Sequence, residues 1–346
     1  MRVGFRSWIR SSPLWADRSR GIWSIPARAA TRGIFTADVL VFGADSLVGS
    51  HFVSGTKLAV AAAGRIDPAS QGLAVDRFAQ LDLRNLPQLQ ELVRESAEPV
   101  IINFAARTDV DPIERERPGP GQPPEGGPAW EVNARAPEIM ARASKSAGKY
   151  LIQLSTDFVF DGRAGPYDEA AARSAYSADL SWYGWTKSEA ERHVEHEDPR
   201  AAIVRISYPY RSGYLRKRDF AHGMMERYRQ GTLPPLYGDQ HITPTWIPDV
   251  SRAIDRLIER TESGIFHVAS SEVTTPWEFA TELVRAVGGH TPELARGSIA
   301  SADRAPGVAP RPRVGGLVCR HVSELGLQPT GWREGIKHLV REEAWR

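Results

Sequence analysis

The stretch Asp38-Val-Leu-Val-Phe-Gly-Ala-Asp-Ser-Leu-Val-Gly49 joins a short apolar run to a turn that contains two glycines, and a helical pattern follows. A short apolar run without alternation is typical of a buried parallel strand. A glycine-containing turn between such a strand and a helix lets backbone N–H groups approach a phosphate at the positive end of the helix. The stretch therefore predicts the start of a dinucleotide-binding sheet. Ser46 replaces the middle glycine of the usual pattern, so a turn that serves packing alone stays open.

Strand and helix patterns alternate from this stretch to about residue 207. Apolar runs occur at 58–63, 99–104, 150–155 and 201–207, and helical patterns at 86–96, 130–147 and 181–196. Strands that alternate with helices require crossover connections and produce a parallel sheet that is covered on both faces. We therefore predict an α/β fold, with a Rossmann-like, doubly wound parallel sheet and an NAD(P)-binding domain over residues 37–207.

The rhythm is less regular beyond residue 207. Helical patterns near 220–230, 247–260 and 277–287 surround a strand pattern at 264–268. We expect residues 208–346 to form mainly a smaller, substrate-binding lobe, with some segments packing back on the Rossmann domain. Such a lobe would lie across the carboxyl edge of the sheet, where ligands of open α/β sheets bind.

Composition and charge exclude several classes of protein. The chain has 346 residues, of which 41% are hydrophobic, and its apolar runs are too short to span a membrane. Cys319 is the only cysteine, which excludes an internal disulfide and a thiolate zinc cluster. We therefore expect a cytoplasmic protein and assign no metal-binding residue, with metal dependence left open.

The net charge of +2 is unevenly distributed. Residues 1–36 contain seven arginines and one acid, so the remainder is mildly acidic and gives no argument for nucleic-acid binding. We expect this basic leader to be disordered or otherwise outside the fold. A targeting segment, an over-called start and a packed arm all remain open.

A tyrosine and a lysine lie four residues apart in one predicted helix. Tyr183-Gly-Trp-Thr-Lys187 places both side chains on one face, where the ammonium would favour the ionised phenol. Ser155-Thr156 ends the preceding predicted strand. Taken alone, the pair could equally be exposed on an amphipathic helix.

Several segments in the same order carry a resemblance to a known family. They are Gly43 to Gly49, Leu81-Asp82-Leu83, Asn103 to Asp111, Val132-Asn133-Ala134, Leu154-Ser-Thr-Asp-Phe-Val-Phe-Asp-Gly162, Tyr183 with Lys187, Asp239-Gln240, Pro244-Thr245 and Arg311-Pro312. From about residue 38 to 342 the chain resembles the extended short-chain dehydrogenase/reductases, and among them the dTDP-4-dehydrorhamnose reductase family.

The resemblance implies reduction of the 4-keto group of a nucleotide-diphosphate deoxysugar, as in dTDP-L-rhamnose synthesis. Tyr183 would be the general acid, Thr156 would bond the carbonyl oxygen, and Lys187 would hold the nicotinamide ribose and lower the pKa of the tyrosine. An epimerase or reductase acting on another substrate remains open. A non-catalytic, cofactor-binding regulatory subunit, as in the beta subunit of methionine adenosyltransferase, also remains open.

The same resemblance assigns a set of cofactor-binding residues. They are Gly43, Ser46, Leu47, Gly49, Asp82, Leu83, Ala105 and Ala106, together with Tyr183 and Lys187. Arg65 is added because it follows the second strand where a carboxylate would select NAD, and a guanidinium there suits the 2′-phosphate of NADP. We therefore favour NADP(H), with NAD(H) open.

On the substrate side, the resemblance and the charge pattern assign six further residues. They are Thr108, Asp157, Arg211, Gln240, Thr245 and Arg311. Arg211 lies in a basic loop, 211–218, that could hold a diphosphate. Arg107 stands where the family usually has an aromatic residue or histidine, so the sugar could differ. Whether the chain forms a homodimer is left open.

Overall fold

The computed structural model describes residues 23–24, 38–213, 218–300 and 308–342. Ten strands are defined: β1 Trp23–Ser24, β2 Val39–Phe42, β3 Val60–Gly64, β4 Arg77–Gln80, β5 Val100–Asn103, β6 Tyr150–Thr156, β7 Ala202–Ile206, β8 Leu236–Tyr237, β9 Gly264–His267 and β10 Arg296–Gly297. The α-helices are α1 Leu47–Gly55, α2 Leu86–Glu95, α3 Val110–Glu114, α4 Gly127–Trp130, α5 Ala136–Ser146, α6 Trp182–Glu197, α7 Phe220–Arg229, α8 Ile247–Arg260, α9 Pro276–Gly288, α10 Arg320–Glu324 and α11 Trp332–Glu342. A π-helical turn, Glu131–Arg135, joins α4 to α5.

The main sheet confirms the predicted doubly wound α/β fold. Its strand order is β1-β4-β3-β2-β5-β6-β7-β9, and every pair except β1–β4 is parallel. Strand β2 lies at the centre, and Phe42 is paired with Ala63 on one side and Asn103 on the other. All four β2 residues are fully buried because helices cover both faces, which explains their unbroken apolar pattern.

The second half of the chain contributes to both lobes. Strand β9 extends the main sheet by pairing with β7, and α8 packs its apolar face beside α1. A separate core, built around Tyr210, Trp246, Phe279 and Trp332, belongs to the smaller lobe. Segments beyond residue 207 thus pack back on the sheet, although the exact division at 207 stays a prediction.

Several elements were absent from the sequence prediction, including the two-residue strands β1, β8 and β10. Strand β4 is short and carries polar residues at both ends, Arg77 and Gln80, so it has no apolar run to reveal it. Helices α3 and α10 are five residues long, too short for a helical period to be recognised. Helix α11 was also missed, although Trp332, Ile336 and Leu339 bury one of its faces.

The leader is described only at Trp23–Ser24. These two residues form β1, which pairs antiparallel with Phe78 and Ala79 at the edge of the sheet. The rest of residues 1–36 lies outside the described residues, so the prediction for the leader as a whole stays a prediction. Among the helices that the structure describes, none is both long and apolar enough to cross a membrane.

Candidate functional site

Two adjoining cavities form one cleft at the carboxyl edge of the parallel strands. The first, of about 820 Å³, runs from the glycine turn to Arg65 and Asp82. The second, of about 450 Å³, is lined by Thr156, Tyr183 and other residues beneath the smaller lobe. Five residues line both cavities, namely Ser46, Leu47, Ala106, Thr108 and Arg218. An extended ligand in the first cavity can therefore reach into the second.

The glycine turn is shaped for close approach of backbone groups. Gly43 has a φ of 74°, and a Cβ there would lie 2.7 Å from the backbone nitrogen of Ala105. A Cβ on Gly49 would lie 2.2 Å from the carbonyl oxygen of Gly43. Ser46 is the N-cap of α1, and its hydroxyl accepts the N–H of Gly49 at 3.0 Å. Ser46 thus stabilises the helix start in place of the usual glycine.

This turn fits the diphosphate of a dinucleotide. The N-terminus of α1 opens into the first cavity beside the turn, and side chains are excluded where the backbone must come close. The predicted residues Leu47, Ala105 and Ala106 line the same cavity. The residues present therefore match the cofactor that the sequence predicts.

The far end of the first cavity carries two arginines and one carboxylate. Arg65, Asp82, Leu83 and Arg84 all line it. Arg84 donates to Asp82 through Nη2 at 2.6 Å and through its backbone N–H at 3.0 Å. The side-chain hydrogen bond from Arg84 is the main cause that lowers the pKa of Asp82 to about 2. Arg84 was not among the sequence candidates, because it is one of many arginines in the chain.

The second cavity brings together Thr156, Tyr183 and Lys187. Thr156 ends β6, while Tyr183 and Lys187 lie on the first two turns of α6, whose start is capped by the Ser181 hydroxyl. Thr156 and Tyr183 both line this cavity. The ammonium of Lys187 donates to the carbonyl oxygen of Leu154 at 2.8 Å. The three predicted catalytic residues therefore face one cavity.

The charge states of the phenol and the ammonium follow from burial. Burial is the main cause that raises the pKa of Tyr183 above its ordinary range, while the neighbouring Thr156 hydroxyl opposes it. The lowering of this pKa by Lys187 stays a prediction, and the desolvation of the phenol sets the direction of the net shift. Burial also lowers the pKa of Lys187 to about 8. At neutral pH the phenol keeps its proton and the lysine is charged.

Asp157 lies beside these catalytic candidates, and both of its carboxylate oxygens accept hydrogen bonds. Oδ2 accepts from the Ser207 hydroxyl at 2.7 Å, and Oδ1 accepts from Thr156 at 3.3 Å. Complete burial raises the pKa of Asp157 to about 6. The residue lines the second cavity, as predicted, and it also orients the Thr156 hydroxyl.

The structure brings only part of the predicted substrate set to the cleft. Thr108 and Arg311 line the second cavity, and Arg311 donates to Asp111 at 2.9 Å. Gln240 lies behind it and donates to Tyr208 and to the carbonyl oxygen of Pro312, each at 3.0 Å. Because Tyr208 lines the second cavity, Gln240 supports the cavity wall through this residue.

Arg211 and Thr245 do not line either of these two cavities, and their substrate role stays a prediction. Arg211 is directed toward α1, where Nη2 donates to the Ser50 hydroxyl at 3.2 Å. The Thr245 hydroxyl accepts from Ser207 N–H at 2.9 Å and donates to Val268 O at 2.8 Å. Both side chains are buried because they join secondary-structure elements. Their residue types fitted a phosphate or sugar contact, but the sequence could not reveal their direction.

Arg107 faces the first cavity with its charge compensated. It forms an ion pair with Glu116, and its backbone N–H donates to Asn133 at 2.8 Å. Glu116 also accepts the backbone N–H of Ala129 at 2.7 Å, which ties the Arg107 loop to α4. Within the described ranges, no group of three or more His, Cys, Asp or Glu residues is arranged to hold a metal ion.

Comparison with known proteins identifies the family. The profile of the RmlD substrate binding domain matches residues 37–344. The chain belongs to this family. The predicted resemblance to the dTDP-4-dehydrorhamnose reductases among the extended short-chain dehydrogenase/reductases is thereby confirmed, and with it a family of NAD(P)-dependent reductases.

Three similar proteins carry names that indicate different activities. The chain is 32% identical to the probable low-salt glycan biosynthesis reductase Agl14 of Haloferax volcanii, over 72% of this chain and 80% of that protein. It is 30% identical to the dTDP-4-dehydrorhamnose reductase of Mycolicibacterium smegmatis, over 93% of this chain and 92% of that protein. It is 27% identical to methionine adenosyltransferase 2 subunit beta of Xenopus tropicalis, over 97% of this chain and 93% of that protein.

Solved structures agree with the fold. A dTDP-4-dehydrorhamnose reductase from Clostridium acetobutylicum is 26% identical, with a TM-score of 0.71 over 88% of this chain and 98% of that one. The corresponding enzyme of Bacillus anthracis was solved in complex with NADP and is 24% identical, with a TM-score of 0.70 over 90% and 100%. RmlD-like folds thus extend over almost all of the described residues.

Proposed function

We propose that this RmlD-family protein is a dTDP-4-dehydrorhamnose reductase-like enzyme, which reduces the 4-keto group of a nucleotide-diphosphate deoxysugar with NAD(P)H. The observation that carries the proposal is the meeting of Thr156, Tyr183 and Lys187 in a cavity that adjoins the glycine turn. This arrangement supplies a protonated phenol, a hydroxyl and a cation beside a cofactor-shaped cleft.

The chemistry requires one hydride and one proton. When bound, the reduced nicotinamide would supply the hydride to the carbonyl carbon of the sugar. Tyr183 would donate its phenolic proton to the carbonyl oxygen, so that an alcohol forms and a phenolate remains until it is reprotonated. The Thr156 hydroxyl, which donates to Asp157 in the structure, would turn its proton to the same oxygen, and the Lys187 ammonium would stabilise the phenolate.

The raised pKa of the Tyr183 phenol suits this direction of proton transfer. A general acid must carry its proton before the reaction, and burial keeps the phenol protonated at neutral pH. A negative charge on the buried phenolate would be costly without a cation nearby. Lys187, itself buried, is the cation on the same face of α6.

NADP(H) is the cofactor that we favour, and NAD(H) remains the alternative. Arg65 and Arg84 provide two guanidinium groups at the end of the cavity where the adenosine ribose would lie, against the single carboxylate of Asp82. Because Arg84 is bonded to Asp82, that carboxylate is less available to accept a 2′-hydroxyl. A 2′-phosphate would find a net positive environment there.

The substrate proposal rests on the family and on the second cavity. Thr108, Asp157 and Arg311 line that cavity, and Arg218 lies where the two cavities join. A nucleotide-sugar would place its keto group beside Tyr183. Its diphosphate could be bound by Arg311 or Arg218. Each of these arginines is paired with a carboxylate in the structure, Asp111 and Glu226 respectively.

Another nucleotide-sugar reductase or epimerase activity is the nearest alternative. A cytoplasmic location stays a prediction.

A regulatory, non-catalytic role is the second candidate, favoured by the likeness to methionine adenosyltransferase 2 subunit beta over 97% of this chain. A subunit of this kind could bind the cofactor without turning it over. The presence of Thr156, Tyr183 and Lys187 in one cavity favours catalysis instead.

The test is an assay of the purified full chain with dTDP-4-dehydro-6-deoxy-L-mannose and NADPH. We expect oxidation of NADPH at 340 nm and formation of one equivalent of the 4-hydroxy sugar nucleotide by mass spectrometry. A UDP-linked 4-keto sugar in a parallel assay tests the nucleotide. Binding of NADPH without turnover of either substrate would contradict the reductase and support the regulatory role.

A further inference from the structure

A buried ion pair lies directly behind the proposed catalytic residues. Glu191 on α6 accepts from Arg205 on β7, through Nε at 2.9 Å and Nη2 at 2.6 Å. The side chains of both residues are completely buried. A fully buried ion pair is weak evidence for stability, because desolvation offsets most of the attraction. The location of this ion pair beside the proposed catalytic residues therefore suggests a role other than stabilising the fold.

Three side chains on one face of α6 lie along the end of β6. Tyr183 lines the second cavity together with Thr156, and Lys187 donates to the Leu154 carbonyl oxygen at 2.8 Å. Glu191 accepts from the Ser155 hydroxyl at 2.5 Å. The three helix positions are spaced four residues apart, so they form a single stripe. The contact made by Glu191 thus helps to set how α6 lies along the end of β6.

Arg205 is itself held in one orientation. Its Nη1 lies 3.2 Å from Nε2 of His267, and the Nδ1 of His267 lies 3.0 Å from the Val318 carbonyl oxygen. Because a guanidinium only donates, Nε2 of His267 must accept and Nδ1 must carry the proton. The guanidinium also lies 5.0 Å from the centre of the Phe160 ring. Arg205 therefore has little freedom to leave Glu191.

Lys187 has one acidic neighbour, Glu191, whose charge is in turn compensated by arginines. Glu191 raises the pKa of Lys187, against the larger effect of burial. Arg205 and Arg173 both face Glu191 and compensate its charge, and Arg173 also pairs with Glu195 at the surface. The other titratable groups that face this cluster are Tyr183 and Asp157 on the cleft side, and His267 and Glu169 behind Arg205.

We propose that Glu191, oriented by Arg205, is a positioning residue that fixes the place and the charge state of the Lys187 ammonium. The inference rests on the proposed function, since it concerns the residue that would stabilise the Tyr183 phenolate. Glu191 acts through Lys187 and is not expected to contact the substrate or the cofactor.

The test is a pair of substitutions with opposite expected effects on the pH profile. Glu191→Gln keeps the hydrogen bond from Ser155 but removes the negative charge, so the ammonium should lose its proton more easily. We expect the basic limb of the kcat–pH profile to move to lower pH by about one unit. Arg205→Met leaves Arg173 as the remaining cationic partner of Glu191, so the carboxylate is less compensated and should move the same limb to higher pH. Glu197→Gln, on the same helix but bonded to Arg142, is the matched control and should leave the limb unchanged.

A purely structural role would not produce opposite shifts. Loss of kcat without a shift of the limb, or shifts of both variants in the same direction, would overturn the proposal. Circular dichroism and thermal unfolding identify a variant that fails to fold. In that case Arg173→Ala, which removes a partner of Glu191 near the surface, provides the second variant, with a smaller shift to higher pH expected.

The pH dependence of the Kd for NADPH, measured by fluorescence, gives a readout that does not need turnover. If the wild type binds NADPH but reduces no keto sugar, the proposed function fails while the binding titration still tests Glu191. An unchanged binding profile in Glu191→Gln would contradict the inference in that case as well.

Discussion

The ammonium nitrogen of Lys187 lies 2.8 Å from the carbonyl oxygen of Leu154, a hydrogen bond that ties the proposed catalytic helix α6 to the end of strand β6. Thr156 follows two residues later on the same strand, so one backbone segment places both the hydroxyl and the cation of the site. The buried surroundings at the end of β6, rather than solvent, therefore determine the pKa of the Lys187 ammonium.

The first prediction concerns the pH dependence of catalysis. Burial lowers the pKa of Lys187 to about 8, whereas the pKa of Tyr183 is raised. As the pH rises through about 8, the ammonium loses its proton while the phenol keeps its own. We therefore expect kcat to fall above pH 8, measured as NADPH oxidation at saturating substrate. A flat profile between pH 7 and 10 would disagree with this assignment.

A second prediction tests the glycine turn. In Gly49→Ala the new Cβ would lie 2.2 Å from the Gly43 carbonyl oxygen, so the turn must deform. We expect the Kd for NADPH to rise by about tenfold or more and the melting temperature to fall. Gly55→Ala is the control, because it lies in the same helix and its Cβ would meet no atom within 4 Å. Equal behaviour of the two variants would argue against the turn as the binding element.

Cofactor selectivity provides the third prediction. Arg65→Ala and Arg84→Ala each remove one guanidinium from the far end of the first cavity. Loss of a charge-assisted hydrogen bond should weaken NADPH binding by about tenfold or more in both variants. NADH binding should change little in Arg65→Ala and should not weaken in Arg84→Ala, which frees Asp82 to accept a 2′-hydroxyl. Isothermal titration with both cofactors measures the ratio, and Arg94→Ala, an exposed position on α2, is the control. Equal losses for NADPH and NADH would show that neither arginine recognises the 2′-phosphate.

The fourth prediction concerns stability and follows from a histidine outside the cleft. Burial, with a smaller contribution from Arg211, lowers the pKa of His51 to about 4, and Nδ1 of His51 lies 2.8 Å from the Ser251 hydroxyl. Between pH 6.5 and 4 the unfolded chain binds a proton at this site that the folded chain refuses, so the free energy of unfolding falls as the pH falls.

Urea unfolding of the wild type and of His51→Asn isolates this effect. Asp157 contributes with the opposite sign, because its pKa is raised to about 6 in the folded protein, but it is common to both proteins. We expect the loss of stability from pH 7 to pH 5 to be smaller in His51→Asn, by on the order of 1–2 kcal/mol. The same loss in both proteins would contradict the buried, neutral state of His51.

The fold was predictable wherever a strand is buried on both faces. Strands β2, β5 and β7 are short and fully buried, so their apolar runs are visible in the sequence. Strand β4 was not predictable, since its end residues Arg77 and Gln80 face more polar surroundings. Its place in the sheet depends on pairing with β3, which the local pattern does not encode.

The site was predictable where function depends on a local spacing. Tyr183 and Lys187 share one face of α6, and the helix alone fixes that relationship. The directions of the Arg211 and Thr245 side chains could not be predicted, because they depend on tertiary contacts, with Ser50 on α1 and with Ser207 at the end of β7. Glu191 was not among the sequence candidates, because a glutamate on a helix gives no local sign that it will form a buried ion pair with Arg205.

The most direct test of the central claim is transfer of deuterium from NADPH that carries it at the nicotinamide C4 position from which hydride leaves. With dTDP-4-dehydro-6-deoxy-L-mannose, the wild type should give a product with one added deuterium at C4 of the sugar. Tyr183→Phe should form it at least about 10²-fold more slowly, while Tyr176→Phe, a more exposed tyrosine, should match the wild type. A product without deuterium, or equal rates for Tyr183→Phe and the wild type, would contradict the proposed reductase.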